Sequence, residues 1–166
     1  PFFLEDPKTC SLAIDYTSIA FLSLVFSVYS FVFVGFYTGI EKTKIQMIVT
    51  ILSNFINLYL NAALIYGSEG IDLFFKESIP SLSFLKVMWS WNHFPAMGVK
   101  GAALATLIAS AWMAVHYALY LFSGDLIKRF KVLSFSTDKE MFWGQLRLAL
   151  PMGIQAVSYT HLRAHE

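Results

Sequence analysis

The sequence predicts an all-α protein, a polytopic bundle of transmembrane helices. Three stretches of more than twenty residues, 16–40, 45–68 and 101–124, contain no Asp, Glu, Lys or Arg. Each is long enough to cross a hydrocarbon core of about 30 Å as a helix that rises about 1.5 Å per residue. A helix of that length in a soluble protein would carry a charged face. Because unpaired backbone groups are costly in lipid, these stretches are predicted to be helices rather than loops.

The composition supports a membrane protein and excludes several other classes. Hydrophobic residues make up 57% of the chain and charged residues 14%, against roughly 25% charged in a soluble domain. The net charge of +1 gives no reason to expect a nucleic-acid partner. Cys10 is the single cysteine, which excludes an internal disulfide and a cysteine-based metal cage. There is no Gly-rich phosphate loop and no acid–His pair at metal-ligand spacing. We therefore predict no enzyme, no cofactor and no metal site, with the lipid bilayer as the main partner.

Four helices are predicted, at about 16–40, 45–66, 99–122 and 141–156. The first follows a polar turn, Leu4 to Thr9, in which Pro7 suits a first helical position. A short polar link, Gly39 to Lys44, joins the first helix to the second. The segment 67–97 is longer, and its function is left open. Its cluster Trp89–Phe94 fits an interfacial aromatic belt, although a soluble loop would also hold such residues.

The basic residues predict which links face the cytoplasm. The links after the first and third helices carry more of them than the segments on the opposite side, which hold Lys8, Lys76, Lys86 and Lys100. An excess of Lys and Arg marks the cytoplasmic side of a membrane protein. The residues that produce the excess are Lys42, Lys44, Lys128, Arg129, Lys131 and Lys139.

A polar stripe runs along the second predicted helix. At about 100° per residue, its members project within a sector of about 100°. An amide left unpaired in hydrocarbon costs roughly 2–7 kcal/mol, so the stripe must face a solute cavity or other helices. Asn and Gln also join membrane helices by hydrogen bonds, and both alternatives stay open. Asn57 and Asn61 are the pair best placed to line a cavity. The stripe consists of Gln46, Thr50, Ser53, Asn54, Asn57 and Asn61.

Two polar residues stand out on the third predicted helix. Small residues at Gly98, Ala102 and Thr106 recur at helical spacing and predict a close-packing face. Thr106 either bonds its own helix backbone or lines the same cavity as Asn57 and Asn61. His116 is the only residue of the types Asp, Glu, Lys, Arg and His within the three long stretches, and it lies toward the presumed cytoplasmic end of the third helix. It is a candidate functional group, or a neutral residue of the packing.

Four motifs together resemble the multidrug and toxin extrusion (MATE) transporters. The motifs occur in the family's order, each at a matching helix end, and the resemblance covers about residues 4–156. They are Gly39-x-x-x-Thr43-Lys44-x-x-Met47, Asn57-x-x-x-Asn61-x-x-x-Ile65-Tyr66-Gly67, Gly98-Val99-x-Gly101-Ala102-Ala103-Leu104-Ala105-Thr106 and Leu150-Pro151-x-Gly153.

The resemblance implies a position in a larger fold and a function. It makes the four predicted helices the family's fourth, fifth, sixth and the start of its seventh, in a twelve-helix transporter with two six-helix lobes. Such proteins are multi-pass proteins of the inner (plasma) membrane. They export cationic or amphipathic drugs and toxins in exchange for protons or sodium by alternating access. The positions that border the cavity of the first lobe match Asn57, Asn61 and Thr106, and Asn54 and Thr50 extend this set along the stripe.

Three departures from the family pattern qualify the resemblance. Many relatives carry Asp at the position of Asn61, and an amide cannot take up a proton near neutral pH. The first-helix Asp that is often assigned to ion coupling would precede Pro1. Many relatives also have a Glu eight residues after the seventh-helix Pro, where this chain has Tyr159.

The two ends of the sequence suggest a fragment. The chain begins with an apolar stub, Pro1 to Leu4, and has no initial Met. The fourth predicted helix becomes polar and charged after Ala156, before it is long enough to span. We therefore expect residues 157–166 to be non-native, against the alternative of a natural short C-terminus that ends on a solvated turn. The missing helices of the transporter would be partners of this chain.

Two other functions are compatible with the sequence. One is a flippase of lipid-linked precursors or polysaccharides from the same superfamily, although such proteins tend to line their cavities with Arg or Lys, which the three long helices lack. The other is a non-transporting membrane scaffold or subunit whose polar stripe only joins helices.

Overall fold

The computed structural model describes residues 7–77, 87–89, 93–123, 126–130, 132 and 138–163. They form five helices: α1 (Pro7–Gly39), α2 (Thr43–Glu77), α3 (Val99–Phe122), α4 (Leu126–Phe130) and α5 (Lys139–Arg163). The chain divides into two compact units, Pro1–Gly124 and Asp125–Glu166. Among the described residues, three helices are long and apolar enough to cross a membrane, at Thr9–Gly39, Thr43–Leu73 and Val99–Phe122. The predicted all-α bundle with three such helices is confirmed.

In the first unit, α3 packs against both α1 and α2, while α1 and α2 touch each other much less. The small residues of α3 allow this central position, because Ala103, Ala105 and Ala109 are buried. Large apolar side chains such as Phe31 and Leu58 remain exposed on the outer surfaces of the helices. Exposed apolar surface on this scale is typical of contact with lipid or with further helices rather than with water.

One end of the first unit holds the turn between α1 and α2, and we call it the turn end. The turn is short because Ile40, Glu41 and Lys42 donate their backbone N–H groups to carbonyls of the last turn of α1, at 2.9–3.1 Å. Glu41 has a positive φ of 60°. The polar link predicted here is confirmed. α1 itself begins at Pro7 rather than near residue 16, so that Asp15 lies within the helix.

The opposite end holds a bend in α2 at Gly67, and we call it the kink end. Gly67 has φ 68° and ψ 175°, after which the helix resumes and continues to Glu77. A Cβ at this position would lie 2.8 Å from the backbone nitrogen of Ala96. Only glycine adopts this backbone conformation without strain and leaves room for the passing chain. The predicted end of the second helix near residue 66 thus corresponds to the bend, with a further helical segment beyond it.

The segment 93–98, which precedes α3, supplies hydrogen-bond partners for backbone groups of α2 that the bend leaves without helical partners. Met97 N donates to Leu64 O at 2.8 Å and Gly98 N to Ile65 O at 3.3 Å, while Ser68 N donates to Phe94 O at 3.2 Å. Buried backbone groups near a membrane interior need such partners. The segment 93–98 therefore fixes the bend and sets the starting position of α3.

The aromatic cluster of the connecting segment is described only in part. Trp89 belongs to a short 3₁₀ turn, residues 87–89, and stacks on Tyr59 with ring centroids 5.2 Å apart. Its indole N–H donates to Tyr59 O at 3.1 Å, and the Tyr59 hydroxyl donates to Met88 O at 3.0 Å. The remaining residues of the cluster before His93, Ser90 to Asn92, lie outside the described part. The predicted aromatic belt stays a prediction.

The second unit contains α4 and α5. Asp138 caps α5, since its Oδ1 accepts from Glu140 N at 2.9 Å and from Met141 N at 3.4 Å. Pro151 lies inside α5. The helix extends to Arg163 rather than ending near Ala156, and the prediction that residues 157–166 are non-native stays a prediction.

Candidate functional site

The polar stripe of α2 divides into two parts with different hydrogen bonds. Toward the turn end its side chains bond to neighbouring helices. The Thr38 hydroxyl of α1 donates to Gln46 Oε1 at 3.0 Å, and Ser53 donates to Ala109 O of α3 at 3.1 Å. The Thr50 hydroxyl lies 3.3 Å from the Tyr117 hydroxyl of α3. In this part of the stripe, the side chains form hydrogen bonds between helices, which is one of the two alternatives that the sequence leaves open.

Asn57 and Asn61 behave differently, because they bond to each other. Asn61 Nδ2 donates to Asn57 Oδ1 at 2.8 Å, one helical turn apart, and both residues are half-buried. Within the described residues, neither side chain bonds to another helix. An asparagine amide offers two N–H donors and one oxygen acceptor. The pair thus retains Asn61 Oδ1 and most of its N–H groups for a solute or for a neighbouring helix. Asn54 is exposed, and the described residues offer it no hydrogen bond.

Thr106 lies at the same depth as the asparagine pair but faces a different neighbour. α2 and α3 run antiparallel, with Ser53 bonded to Ala109 and Leu64 close to Gly101. Asn57, Asn61 and Thr106 all fall between these two contacts. The Thr106 hydroxyl donates to Ala102 O at 3.1 Å, as expected for a threonine that bonds its own helix. Its exposed side borders a cavity of about 260 Å³ between α1 and α3, beside Ala20 and Ala103.

His116 lies against Trp112 on α3. Their ring centroids are 3.8 Å apart and the rings are nearly parallel, at 26°. The imidazole Nδ1 is buried and has no hydrogen-bond partner in the part of the chain that the structure describes. This stacking agrees with a packing role, while the unpartnered nitrogen leaves the alternative of a functional group open.

Three features of the first unit were not anticipated from the sequence. Tyr37 and Tyr117 are fully buried, and the Tyr37 hydroxyl donates to Tyr117 O at 2.9 Å. Asp15 and Lys100 form an ion pair of 2.7 Å between α1 and α3. The third feature is the bend at Gly67. A positional signal existed only for the ion pair, since Asp15 and Lys100 each lie just outside a charge-free stretch.

Comparison with known proteins gives one family and two relatives. The MatE family model matches residues 1–63, which include both members of the asparagine pair. The chain is 30% identical over 136 residues to the probable multidrug resistance protein NorM of Thermotoga maritima, covering 80% of this chain and 23% of the relative. It is 24% identical over 162 residues to the protein of the same name from Agrobacterium fabrum, covering 96% of this chain and 30% of the relative. The chain thus spans less than a third of the length of these relatives. No solved structure matches.

Proposed function

Since this chain belongs to the MATE family of multi-pass membrane transporters, we propose that it contributes helices to an antiporter of the inner membrane that exports cationic or amphipathic drugs. Export would proceed by alternating access, in exchange for protons or sodium. The proposal is supported by the similarity to two proteins named as probable multidrug resistance proteins. A transporter rather than an enzyme is the function that the family assigns.

The asparagine pair is the observation that carries the proposal to particular residues. Asn57 and Asn61 lie half-buried in the middle of an apolar helix and bond only to each other within the described residues. A free amide oxygen such as Asn61 Oδ1 can face an organic cation or coordinate sodium through its dipole. Neither amide can carry a proton at neutral pH, so a coupled proton would have to bind another residue.

The proposed transport path includes further polar side chains that lie near the asparagine pair along the helices. Thr106 lies at the level of the pair and borders the cavity beside α1. In the proposed transporter, the otherwise apolar wall of the cavity would offer polar contacts from Asn57, Asn61 and Thr106. Asn54 and Thr50 would continue this row of polar side chains along α2. The remaining helices of the transporter would complete the cavity, and they are the proposed partners of this chain.

Replacing Asn57 tests the proposal. In the complete open reading frame, expressed in a drug-sensitive bacterium, we expect Asn57→Ala to lower resistance to cationic drugs about fivefold, because loss of one hydrogen bond costs about 1 kcal/mol. Growth at graded drug concentrations would measure the effect, with the amount of protein in the membrane measured by immunoblot.

Ser18→Ala is the matched control, since Ser18 is exposed and bonds only to Ile14 O of its own helix, at 2.8 Å. It should leave resistance unchanged. If Asn57→Ala also left resistance unchanged at equal protein levels, the pair would be a packing contact and the assignment to the path would be wrong.

A further inference from the structure

A basic segment follows the third membrane-spanning helix. Residues 126–137 contain three basic side chains and no Asp or Glu, in a chain whose net charge is only +1. Only residues 123–125 separate this segment from the end of α3. A segment that follows a membrane span so closely in sequence lies at the level of the lipid headgroups. The basic residues are Lys128, Arg129 and Lys131.

The helix α4 (Leu126–Phe130) presents two of these basic side chains on its surface. Lys128 and Arg129 are exposed, and within the described residues neither of them forms an ion pair. The guanidinium carbon of Arg129 lies 5.5 Å from the centroid of the Phe130 ring. That ring keeps 41% of its exposure, whereas Leu126 at the start of the helix is buried. α4 therefore exposes positive charge and an aromatic ring side by side.

A backbone hydrogen bond fixes the chain at the end of α4. Val132 N donates to Ile127 O at 3.3 Å, a bond that is typical of a chain turning away from the C-terminus of a helix. The Val132 side chain is exposed. The short helix and the turn after it thus hold the basic side chains on a defined backbone, which lowers the entropic cost of binding a partner.

The chemistry of these side chains favours a partner that has both a phosphate and an apolar part. A guanidinium forms two parallel hydrogen bonds with the oxygens of a phosphate, and an ammonium attracts it as a point charge. Phenylalanine rings on basic membrane-surface segments insert at the boundary between headgroups and acyl chains. Basic clusters beside a membrane span attract anionic lipids, whereas a zwitterionic headgroup has no net charge to offer.

We propose that Lys128, Arg129 and Phe130 form an interaction surface for anionic phospholipids, on the side of the membrane that the basic residues predict to be cytoplasmic. The two basic side chains contact the headgroup phosphate, and the ring lies at the edge of the acyl chains. The class of partner follows from charge complementarity together with the exposed ring. The lipid is a bound component of the membrane rather than a transported compound, so the surface does not depend on the proposed export.

A fluorescence titration tests this surface. In purified protein from the complete open reading frame, all cysteines including Cys10 are replaced by Ser, and Val132→Cys carries an environment-sensitive NBD dye. The protein in dodecyl maltoside micelles is titrated with dioleoyl-phosphatidylglycerol or with dioleoyl-phosphatidylcholine. We expect the anionic lipid to shift the dye emission to shorter wavelength at a concentration about twentyfold lower than the zwitterionic lipid, because two basic residues contribute.

Three variants identify the role of charge. With Arg129→Gln, we expect the lipid concentration at half-saturation to rise about fivefold, since one basic residue near the headgroups is lost. Arg129→Lys keeps the charge and should restore most of the affinity. Lys139→Gln is the matched control, because it removes the same charge from the same link at a position between Asp138 and Glu140. It should leave the titration unchanged.

Three results would overturn the surface: an equal response to both lipids, an unchanged titration of the Arg129→Gln protein, or an equal loss of affinity in the Lys139→Gln protein. Heparin provides a further test, because it is a polyanion without acyl chains. An equal emission shift with heparin would show a general polyanion surface and contradict the assignment to lipid. A monodisperse elution profile of each variant shows that it is folded. The resistance assay on Asn57→Ala is independent of these measurements, so that the two proposals can fail separately.

Discussion

The two ends of the three-helix unit are held together by different chemistry. At the turn end, large side chains meet: Phe33, Tyr37 and Tyr117 stack with centroids 5.7–6.4 Å apart, and tyrosine hydroxyls bond across the helices. At the kink end, backbones meet: the main chain of α2 accepts hydrogen bonds from Met97 and Gly98. Close packing at the turn end depends on large aromatic side chains. At the kink end it depends on the absence of a side chain at Gly67 and Gly101.

The two ends also differ in how the space between the helices is used. At the turn end, Tyr37 and Tyr117 are fully buried between the helices. At the kink end, a cavity of about 440 Å³ lies beside the bend, where main-chain hydrogen bonds join α2 to the segment before α3. Substitutions at the two ends should therefore lower the stability of the unit for different reasons. The relative size of the two losses in stability tests the comparison.

The largest effect is expected at the kink end for Gly101→Leu. A Cβ on Gly101 would overlap the backbone carbonyl of Leu64, and a backbone cannot move aside as a side chain can. Overpacking of this kind costs up to about 3 kcal/mol. We expect α3 to separate from α2, with a marked loss of folded protein and a lower thermal midpoint in detergent, measured by the recovery of the monodisperse protein after heating.

Gly35→Leu is the matched control for this substitution. Gly35 also lies inside a long helix, but a Cβ there would meet no atom within 4 Å. Leucine should stabilise the helix by up to about 1 kcal/mol through its higher helix propensity. If both substitutions had the same effect, close backbone contact would not be what holds the kink end.

A smaller effect is expected at the turn end for Tyr37→Phe. The substitution keeps the ring and its stacking but removes the hydroxyl that donates to Tyr117 O. A neutral hydrogen bond contributes about 1 kcal/mol, and those between membrane helices average about 0.6 kcal/mol. Unfolding in mixed micelles should show a loss of this size. Tyr29→Phe, at an exposed residue of the same helix, is the control and should be neutral. A loss as large as that of Gly101→Leu would contradict the comparison.

Much of the fold could be predicted because a long stretch without charged residues indicates a helix that crosses the membrane. The third helix was predicted at 99–122 and spans Val99–Phe122. The prediction was less accurate where local chemistry decides the boundary. The charge-free stretch predicts a first helix from about residue 16, yet Asp15 lies inside α1 and pairs with Lys100. The sequence predicts a helix end near residue 66, where the structure has the bend at Gly67, because a sequence does not show that residues 93–98 supply the missing hydrogen bonds.

The candidate site was predictable as a stripe but not as two parts. Periodicity places Ser53 and Asn57 on one face of α2, and their sequence neighbours do not indicate that the two side chains have different hydrogen-bond partners. The distinction arises from their neighbours: Ser53 meets the carbonyl of Ala109, distant in sequence, whereas Asn57 meets Asn61. The same limit applies to Tyr37 and Tyr117, which read as ordinary aromatic residues until the helices pack. The residue pattern of a single helix does not show which residues far away in the chain will contact it.

The smallest effect is expected for the ion pair at the kink end. Asp15 and Lys100 are 2.7 Å apart, but their side chains keep 43% and 45% of their exposure. Pairs that retain this much contact with solvent contribute about 0.2–1 kcal/mol, and salt screens them further. A double-mutant cycle of Asp15→Asn and Lys100→Gln, measured by unfolding in mixed micelles, should give a coupling energy in that range that falls in high salt. A coupling above about 2 kcal/mol, insensitive to salt, would mean that this side-chain contact holds the kink end more strongly than the Tyr37 hydroxyl holds the turn end, because only a pair withdrawn from solvent reaches that strength.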